Sequence, residues 1–539
     1  MSGGPTQPSQ MPARESRAAP RDASCAERAK PWVLAATILG SSMAFIDGSV
    51  VSVALPAMQS DLNTSVRGAQ WIANGYLLTL GALILVGGAA GDRYGRRRVF
   101  TLGIVVFAAA SIVCGLAPNV STLIAARAVQ GVGGALMVPE SLAIISATFA
   151  ESERGRAIGT WAGFSALTTA LGPVLGGWLV DASSWRTIFF VNVPLALLAV
   201  AIAWRHVPES RDDSGQTGVD WVGGTLVTLA LGALAYGLTL ESDLGWSHPI
   251  VLGCVLGSVP LFAAFIWWEG RTRSPMMPLA LFRSREFSGA NLLTLLLYFA
   301  LSGAMFFLPF NLIGIQGYSA TEAGAAFLPF TIVMGGLSRW SGALVERYDP
   351  RLPLTVGPLV AAAGLVLIAL PGIGQSYWTS FFPAMSVLGL GMAIAVAPLT
   401  TVVMRAATPQ HSGVASGINN AIARVAGMLA VALLGAVAVG QFTTSLERQL
   451  TDAHVSAVAR ESVLAEASKL TATQAPPNLR EDERRRVMRA VHLSFLRSFR
   501  LVMLVSAALA ALGAAIAWAS LPASPAVAGS RQFRFRATR

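Results

Sequence analysis

Residues 88–100 read GAAGDRYGRRRVF. This stretch sets one carboxylate and four arginines between two apolar runs, each long enough to cross a bilayer. A hydrocarbon layer ~30 Å thick asks for about 20 apolar residues per helix, and such runs recur along all 539 residues. The chain is 54% hydrophobic and 12% charged, against roughly 25% charged in soluble domains. Lys30 and Lys469 are the only lysines, so the basic side chains are nearly all arginine. The expected fold class is an all-α polytopic membrane protein.

The net charge of +11 would suit a nucleic-acid partner, but the arginines sit in short connections between apolar runs. There they set membrane orientation, and no nucleic-acid partner is expected. Fourteen spans are expected near 32–56, 70–90, 98–117, 120–145, 157–180, 187–205, 219–240, 249–268, 288–312, 322–345, 353–371, 377–403, 412–440 and 496–520. With the N-terminus in the cytoplasm, the inside connections hold Arg93, Arg96, Arg97 and Arg98, then Arg154 and Arg156, then Arg205 and Arg211. Farther on come Arg271, Arg273, Arg283, Arg285, Arg347, Arg351 and Arg405. The outside loops LAPNVS, ESDLGWSHP and PGIGQSY carry no Lys or Arg. This asymmetry places a multi-pass protein in the plasma membrane with both termini cytoplasmic.

The stretch GAAGDRY at 88–94 is echoed by GALVERY at 342–348. Each copy ends the second helix of a six-helix group, which leaves the seventh and eighth spans as an inserted pair. Two related bundles rocking about a midplane site are a transporter arrangement. The expected division is a disordered cytoplasmic tail at 1–31 and a first bundle at 32–206. The inserted pair with its loops follows at 207–287, then a second bundle at 288–520. A long outside loop at 441–495, in which TTSLERQLTDAHVSAVARESVLAEASKL has the spacing of a short surface helix, and a cytoplasmic tail at 521–539 complete it.

The charged turn has a physical reading of its own. Gly88 and Gly91 thin the end of the second helix so that a neighbour packs close. Asp92 can accept hydrogen bonds or face the positive end of another helix. Gly95 permits the tight turn, and Arg93 and Arg96 belong to the repeated element or its flank. In the second half Gly342, Glu346 and Arg347 hold the matching places. A conformational switch is the reading; a bare orientation signal would need only the arginines.

Within the spans, charged groups cost about 2.5–3.5 kcal/mol each at the bilayer centre, so each needs a reason. Asp47 lies roughly 13 Å below the outer face of its helix and Arg127 roughly 11 Å, from the rise per residue. Their depths nearly match. A pair that makes and breaks could load and release a proton, whereas a static pair would only hold the first and fourth helices together.

At this point the sequence resembles a known family. GAAGDRYGRRRV is similar to the helix 2–3 signature of the major facilitator superfamily. AFIDGSVVSVALPAM at 44–58 resembles the first-helix signature of its fourteen-helix drug:proton antiporter branch, the EmrB/QacA-like multidrug efflux transporters. LIAARAVQGVGGAL at 123–136 resembles the fourth-helix motif, with Arg127, Gln130, Gly131 and Gly134 in place. SSWRTIFFVNVP at 183–194 and GVASGINNAIARVAG at 413–427 also look like that branch. The resemblance implies two six-helix bundles with two additional helices between them, fourteen transmembrane helices in all.

It also implies roles. The exporter signature of the fifth helix falls on Gly159, Gly172, Pro173, Gly176 and Gly177, with Thr168 where a glycine stands in the pattern. Asp47 takes the position of the proton-coupled carboxylate, and Arg127 that of an arginine implicated in proton transfer. Glu140, after Pro139, has three open readings: a second proton site, a contact for a cationic substrate, or a bystander. Trp71, Tyr76, Trp161, Phe164, Tyr298, Phe306 and Phe307 are candidates to line an apolar substrate cavity, though packing roles compete.

No P-loop is present, because neither lysine lies near a glycine-rich turn. No cofactor, metal site or enzymatic activity is expected, and a proton gradient supplies the energy. The expected function is proton-coupled antiport that exports amphipathic drugs, antibiotics or toxic metabolites by alternating access. The expected partners are an amphipathic small molecule, protons and lipid, with the protein monomeric. An importer of a polar solute and a membrane sensor on a transporter scaffold are the competing readings.

Overall fold

The computed structural model describes residues 20–211, 218–347, 349–406 and 412–521, which form helices joined by turns with no strand among them. The expected tails fall largely outside the described residues. Among the described residues, fourteen helices are long and apolar enough to cross a membrane. The first bundle holds α1 (Pro20–Asp61), α2 (Val66–Tyr94), α3 (Arg96–Gly115), α4 (Val120–Thr148) and α5 (Glu151–Ala182). A short α6 (Thr187–Phe190) and α7 (Asn192–His206) make its sixth span. The inserted pair is α8 (Trp221–Leu244) and α9 (Pro249–Glu269). The second bundle holds α10 (Arg285–Gly314), α11 (Ala320–Ala325) with α12 (Leu328–Arg347), α13 (Arg351–Ala369) and α14 (Phe381–Arg405). It closes with α15 (Ser412–Asp452), a small α16 (Ala457–Ala465) and α17 (Glu481–Ser520). The end of the helices that carries residues 92–98 is the inner end, the opposite one the outer end.

A helix satisfies its own backbone, which hydrocarbon cannot do for it, so the terminal amides are where side chains are needed. Asn119 accepts from Thr122 N–H at 2.9 Å and Ser284 from Phe287 N–H at 3.2 Å. Ser319 and Glu322 close a reciprocal capping box on α11. Gly95 turns α2 into α3 at φ 106°, a conformation glycine adopts without strain.

Within each bundle, glycines let helices touch backbone to backbone. A Cβ on Gly133 would stand 2.6 Å from the Phe107 amide nitrogen, and one on Gly103 would stand 2.8 Å from the Gly133 carbonyl oxygen. That is the α3–α4 crossing. Its counterpart recurs between α13 and α14, where a Cβ on Gly364 would stand 2.6 Å from the Leu388 amide nitrogen. The repeat read from one turn therefore extends to the packing of the third and fourth helices of both halves.

Two seams join the bundles, α2 against α15 and α5 against α11. The helix α8 lies on both α2 and α15, while α9 rests on α8. Leu256, Val259, Ile266 and Trp267 of α9 stay exposed, as lipid-facing groups would.

Three expectations are corrected. The chain is helical from Pro20 rather than from residue 32, and Lys30 pairs with Glu153 of α5 at 2.7 Å. The outer turns do carry arginine at Arg67 and Arg186, and Arg186 pairs with Asp61 at 2.6 Å. The loop expected at 441–495 is mostly helix, since α15 runs on to Asp452 and α17 starts at Glu481. Phe442, Leu446 and Leu450 form a buried stripe against Val487, Val491 and Phe495, and spacing of four residues keeps each set on one helix face. Val463 of α16 and Leu470 complete this outer cap, and Gln59 of α1 donates to the Lys469 carbonyl at 3.0 Å.

Gly133→Val and Gly364→Val should each lower the thermal unfolding temperature in detergent, at a cost of about 1–3 kcal/mol from overpacking. A Gly253→Val control on α9, where nothing lies within 4 Å, should leave it unchanged.

Candidate functional site

At the centre of the first bundle a carboxylate and a guanidinium meet with almost no solvent access. Asp47 of α1 is 3% exposed and Arg127 of α4 is 1% exposed. Arg127 Nη1 donates to Asp47 Oδ2 at 2.5 Å and to Gln130 Oε1 at 2.6 Å. Gln130 Nε2 returns the bond to Asp47 Oδ1 at 2.8 Å and reaches Ser111 Oγ on α3 at 2.9 Å. Asn192 of α7 donates to the same Ser111 at 3.3 Å, and Arg127 Nε donates to the Ile72 carbonyl of α2 at 3.1 Å. The guanidinium also sits 4.4 Å from the Tyr76 ring centroid, an arrangement that favours the cation. Five helices thus contribute to one polar centre.

Some of this was legible. The matched depths of Asp47 and Arg127 correspond to a direct contact, and Gln130 lies one helical turn from Arg127. Ser111 and Asn192 carried no signal of their own, because serine and asparagine inside apolar runs are usually back-bonded or packed. Asn192 Oδ1 and both amide side-chain atoms of Asn74 are buried without a partner among the described residues.

Glu140 is elsewhere. It lies roughly 20 Å farther along α4, beneath Gly91 of α2, where a glycine Cβ would run into its carboxyl group. It is fully buried, and neither of its oxygens has a partner among the described residues. The charges nearest to it are Asp92, Arg96 and Glu209. One level away, Ser41 bonds Ser141 at 2.7 Å and accepts from Trp161 Nε1 at 3.0 Å, joining α1, α4 and α5.

The charged turn is closed on itself. Arg96 donates to Asp92 Oδ1 from Nη2 at 2.7 Å and from Nε at 3.0 Å. Glu209, in the segment after α7, accepts from the Arg97 amide at 3.0 Å and stands 3.7 Å from Arg98. The Arg96 amide donates to the Ser210 carbonyl at 2.8 Å. Arg93 lies 5.7 Å from the Tyr94 ring centroid, and Gly88 packs near Pro139. The side chains of Gly342, Glu346 and Arg347 lie outside the described residues.

The fifth-helix glycines divide along α5. Gly172 and Gly176 pack on Ser49 and Val50 of α1, and Gly177 lies against the Ala320 carbonyl of α11. Gly324 of α11 in turn fits against the Pro173 carbonyl. Just beyond, Asp181 caps α11: it accepts from the Ala320 amide at 3.2 Å, the Thr321 amide at 2.8 Å and the Thr321 hydroxyl at 2.5 Å. Toward the inner end, nothing among the described residues lies within 4 Å of a Cβ at Gly159 or Gly163 on α5, or at Gly336 on α12. The bundles are pinned at their outer ends along this seam.

The aromatic candidates scatter. Phe164 is 48% exposed on the open inner half of α5, and Trp161 stands beside it with Phe45 edge-on at 6.0 Å. Tyr298 is half-buried near Arg424. The other four are packed against protein. Tyr76 is buried beneath Arg127, Phe306 and Phe307 pack with Phe310 in the core, and Trp71 packs on Tyr236 of α8. Large apolar rings bury wherever helices meet, and composition alone does not choose between core and cavity.

The profile of the Major Facilitator Superfamily matches residues 37–431. The chain belongs to that superfamily. It is 34% identical over 506 residues to the tetracenomycin C resistance and export protein of Streptomyces glaucescens, covering 92% of this chain and 93% of the relative. It is 32% identical over 508 residues to the multidrug resistance protein Stp of Mycobacterium tuberculosis, covering 93% and 94%. A methylenomycin A resistance protein of Bacillus subtilis is 35% identical over 407 residues, 75% of this chain and 87% of the relative. In fold it is similar to the inward-facing, unoccupied bacterial homolog of the human lysosomal transporter Spinster. That TM-score is 0.62 at 17% identity, covering 92% of this chain and 99% of that one. The D-xylose-proton symporter superposes with a TM-score of 0.58 at 13% identity, over 91% of this chain and 98% of that one. This superfamily member is a multi-pass membrane transporter of small molecules, not an enzyme.

Removing the cap on α11 should loosen the outer seam. Asp181→Ala should raise the population with separated outer ends about fivefold, the equivalent of a helix cap worth ~1 kcal/mol. Spin-label distances between the outer ends of α5 and α11 would report it, and an unchanged distribution would remove Asp181 from the gate.

Proposed function

We propose that this transporter is a proton-driven exporter of amphipathic compounds such as antibiotics, working by alternating access across the plasma membrane with both termini cytoplasmic. One observation carries the coupling: Asp47 is paired with Arg127 in a nearly dry centre. Removing one partner of such a pair costs about 3–5 kcal/mol, so a proton arriving on Asp47 is a strong perturbation. Protonation neutralises the carboxylate and leaves the guanidinium to Gln130 Oε1 and the Ile72 carbonyl, both of which already accept from it. Gln130, Ser111 and Asn192 bridge α4, α3 and α7, and would pass the change to the rest of the first bundle.

The outer contacts of Asp181, Gly177 and Gly324 would supply the barrier on one side, and the inner half of α5, open beside Gly159 and Gly163, would supply access on the other. An amphipathic molecule would enter past Phe164 and Trp161. The turn at Gly88, Gly91, Asp92, Arg93, Gly95 and Arg96 would act as the switch. It would exchange its internal Asp92–Arg96 pair for other partners as the bundles rock, with Gly342, Glu346 and Arg347 as its second-half counterpart. The relatives whose printed names record antibiotic resistance and export support the direction. The proton gradient supplies the energy without a cofactor, and a monomer suffices.

Proteoliposomes loaded with a fluorescent lipophilic cation should extrude it when a pH gradient is imposed. Asp47→Asn should cut gradient-driven transport at least about tenfold, on the scale of losing a buried pair. Counterflow without a gradient should survive in that variant. Equal gradient-driven transport by Asp47→Asn would refute the coupling. Gly91→Val should arrest turnover while insertion persists, because its side chain displaces the Glu140 carboxyl; unchanged turnover would leave the turn as an orientation signal.

A further inference from the structure

A second acidic centre lies at the inner end of the inserted pair, away from Asp47. Asp220 is the residue before α8, and its Oδ1 accepts from the Gly223 amide at 2.8 Å and from Trp268 Nε1 at 2.8 Å. Glu269 ends α9, and its Oε2 accepts from the Met277 amide at 2.9 Å. The remaining oxygens, Asp220 Oδ2 and Glu269 Oε1, are buried without a partner among the described residues. They face one another. A Cβ on Gly223 would stand 2.5 Å from the first and 2.8 Å from the second, and the two side chains lie within hydrogen-bonding reach. Asp220 is 7% exposed and Glu269 is 3% exposed.

Two carboxylate oxygens are both acceptors, so their contact contains no hydrogen bond unless one carries a proton. Two ionised carboxylates sharing a buried site repel, and the arrangement that removes both faults is an acid–carboxylate pair with one proton between them. The charged groups on the neighbouring elements are Arg271, Arg273 and Arg211. Among the described residues, Arg271 stacks 4.3 Å from the Trp267 ring centroid, and Arg273 and Arg211 are both exposed. From α2, Val86 lies against Gly224 and presents no charge.

We infer that Asp220 and Glu269 bind a single shared proton and use it as a clamp on the connector between the inserted pair and the second bundle. Glu269 holds the Met277 amide in the middle of that connector, which runs from Gly270 to Ser284 and leads directly into α10. The helix α8 contacts α2 of one bundle and α15 of the other, so the clamp sits where both halves are bridged. Loss of the proton leaves two buried negative charges, which separate and release Met277. The open form, with both groups ionised in water, binds one proton fewer than the closed form. Stability of the closed form therefore falls as pH rises, and the opening equilibrium grows about tenfold per pH unit in that window. The inner pH is read at this junction independently of any proton moved by Asp47.

Hydrogen exchange read by mass spectrometry on the full-length protein in nanodiscs, without substrate, tests this. After correction for intrinsic exchange, protection across residues 270–284 should fall with rising pH in the parent. Glu269→Gln keeps an oxygen for the Met277 amide and donates permanently to Asp220, so its protection should be flat across the same range. An infrared difference spectrum, parent minus Glu269→Gln at about pH 7, should contain the carbonyl band of a protonated carboxyl. A pH dependence in Glu269→Gln equal to the parent's, or no such band, overturns the inference. So does protection in the parent that ignores pH but rises on adding calcium chloride, since the pair would then hold a metal cation. Failure of gradient-driven export in liposomes would not alter any of these readouts.

Discussion

The buried pair of Asp47 and Arg127 is the constraint on which the first bundle depends. Insertion of either charge alone into an apolar core is unfavourable, and each is tolerable only because the other lies at the same depth on a neighbouring helix. That requirement fixes the relative heights of α1 and α4. The hydrogen bonds of Gln130, Ser111, Asn192 and the Ile72 carbonyl then tie α3, α7 and α2 to the same level. A helix sliding by one residue would break several of these bonds together.

Around that fixed centre, small residues decide what can move. Backbone contact at Gly103 and Gly133 makes α3 and α4 a rigid unit, and Gly364 does the same for α13 and α14. Between the bundles the contacts are less continuous along α5. Its outer glycines interlock with α1 and α11, whereas Gly159 and Gly163 face open space. In lipid there is no hydrophobic drive to hold helices together, so close packing and interhelical hydrogen bonds decide which seams stay shut. The Asp181 cap supplies such hydrogen bonds at the outer end of this seam.

The 88–98 turn shows how one segment carries two jobs. Its arginines meet Glu209 and the backbone of 207–210, fastening the inner ends of α3 and α7. Its glycines meet Glu140 and Pro139, placing α2 directly on α4. Nothing local in the sequence marked Glu209 as the partner of a loop over 100 residues earlier.

Much of the architecture was written in the sequence. Apolar length set the number of spans, since hydrocarbon thickness demands a fixed run of residues. The echo of GAAGDRY in GALVERY marked two halves, and equal depths paired Asp47 with Arg127. Helices outside the membrane were read too short, because polar residues at helical spacing fix their extent only when a partner covers their apolar stripe, as α15 and α17 cover each other. Tertiary structure alone decided which aromatic rings face space and which are core. It also decided that Gly91 lies over the Glu140 carboxyl, and that Asp220 meets Glu269. Those facts depend on how helices rotate and tilt against one another, which periodicity within one helix does not contain.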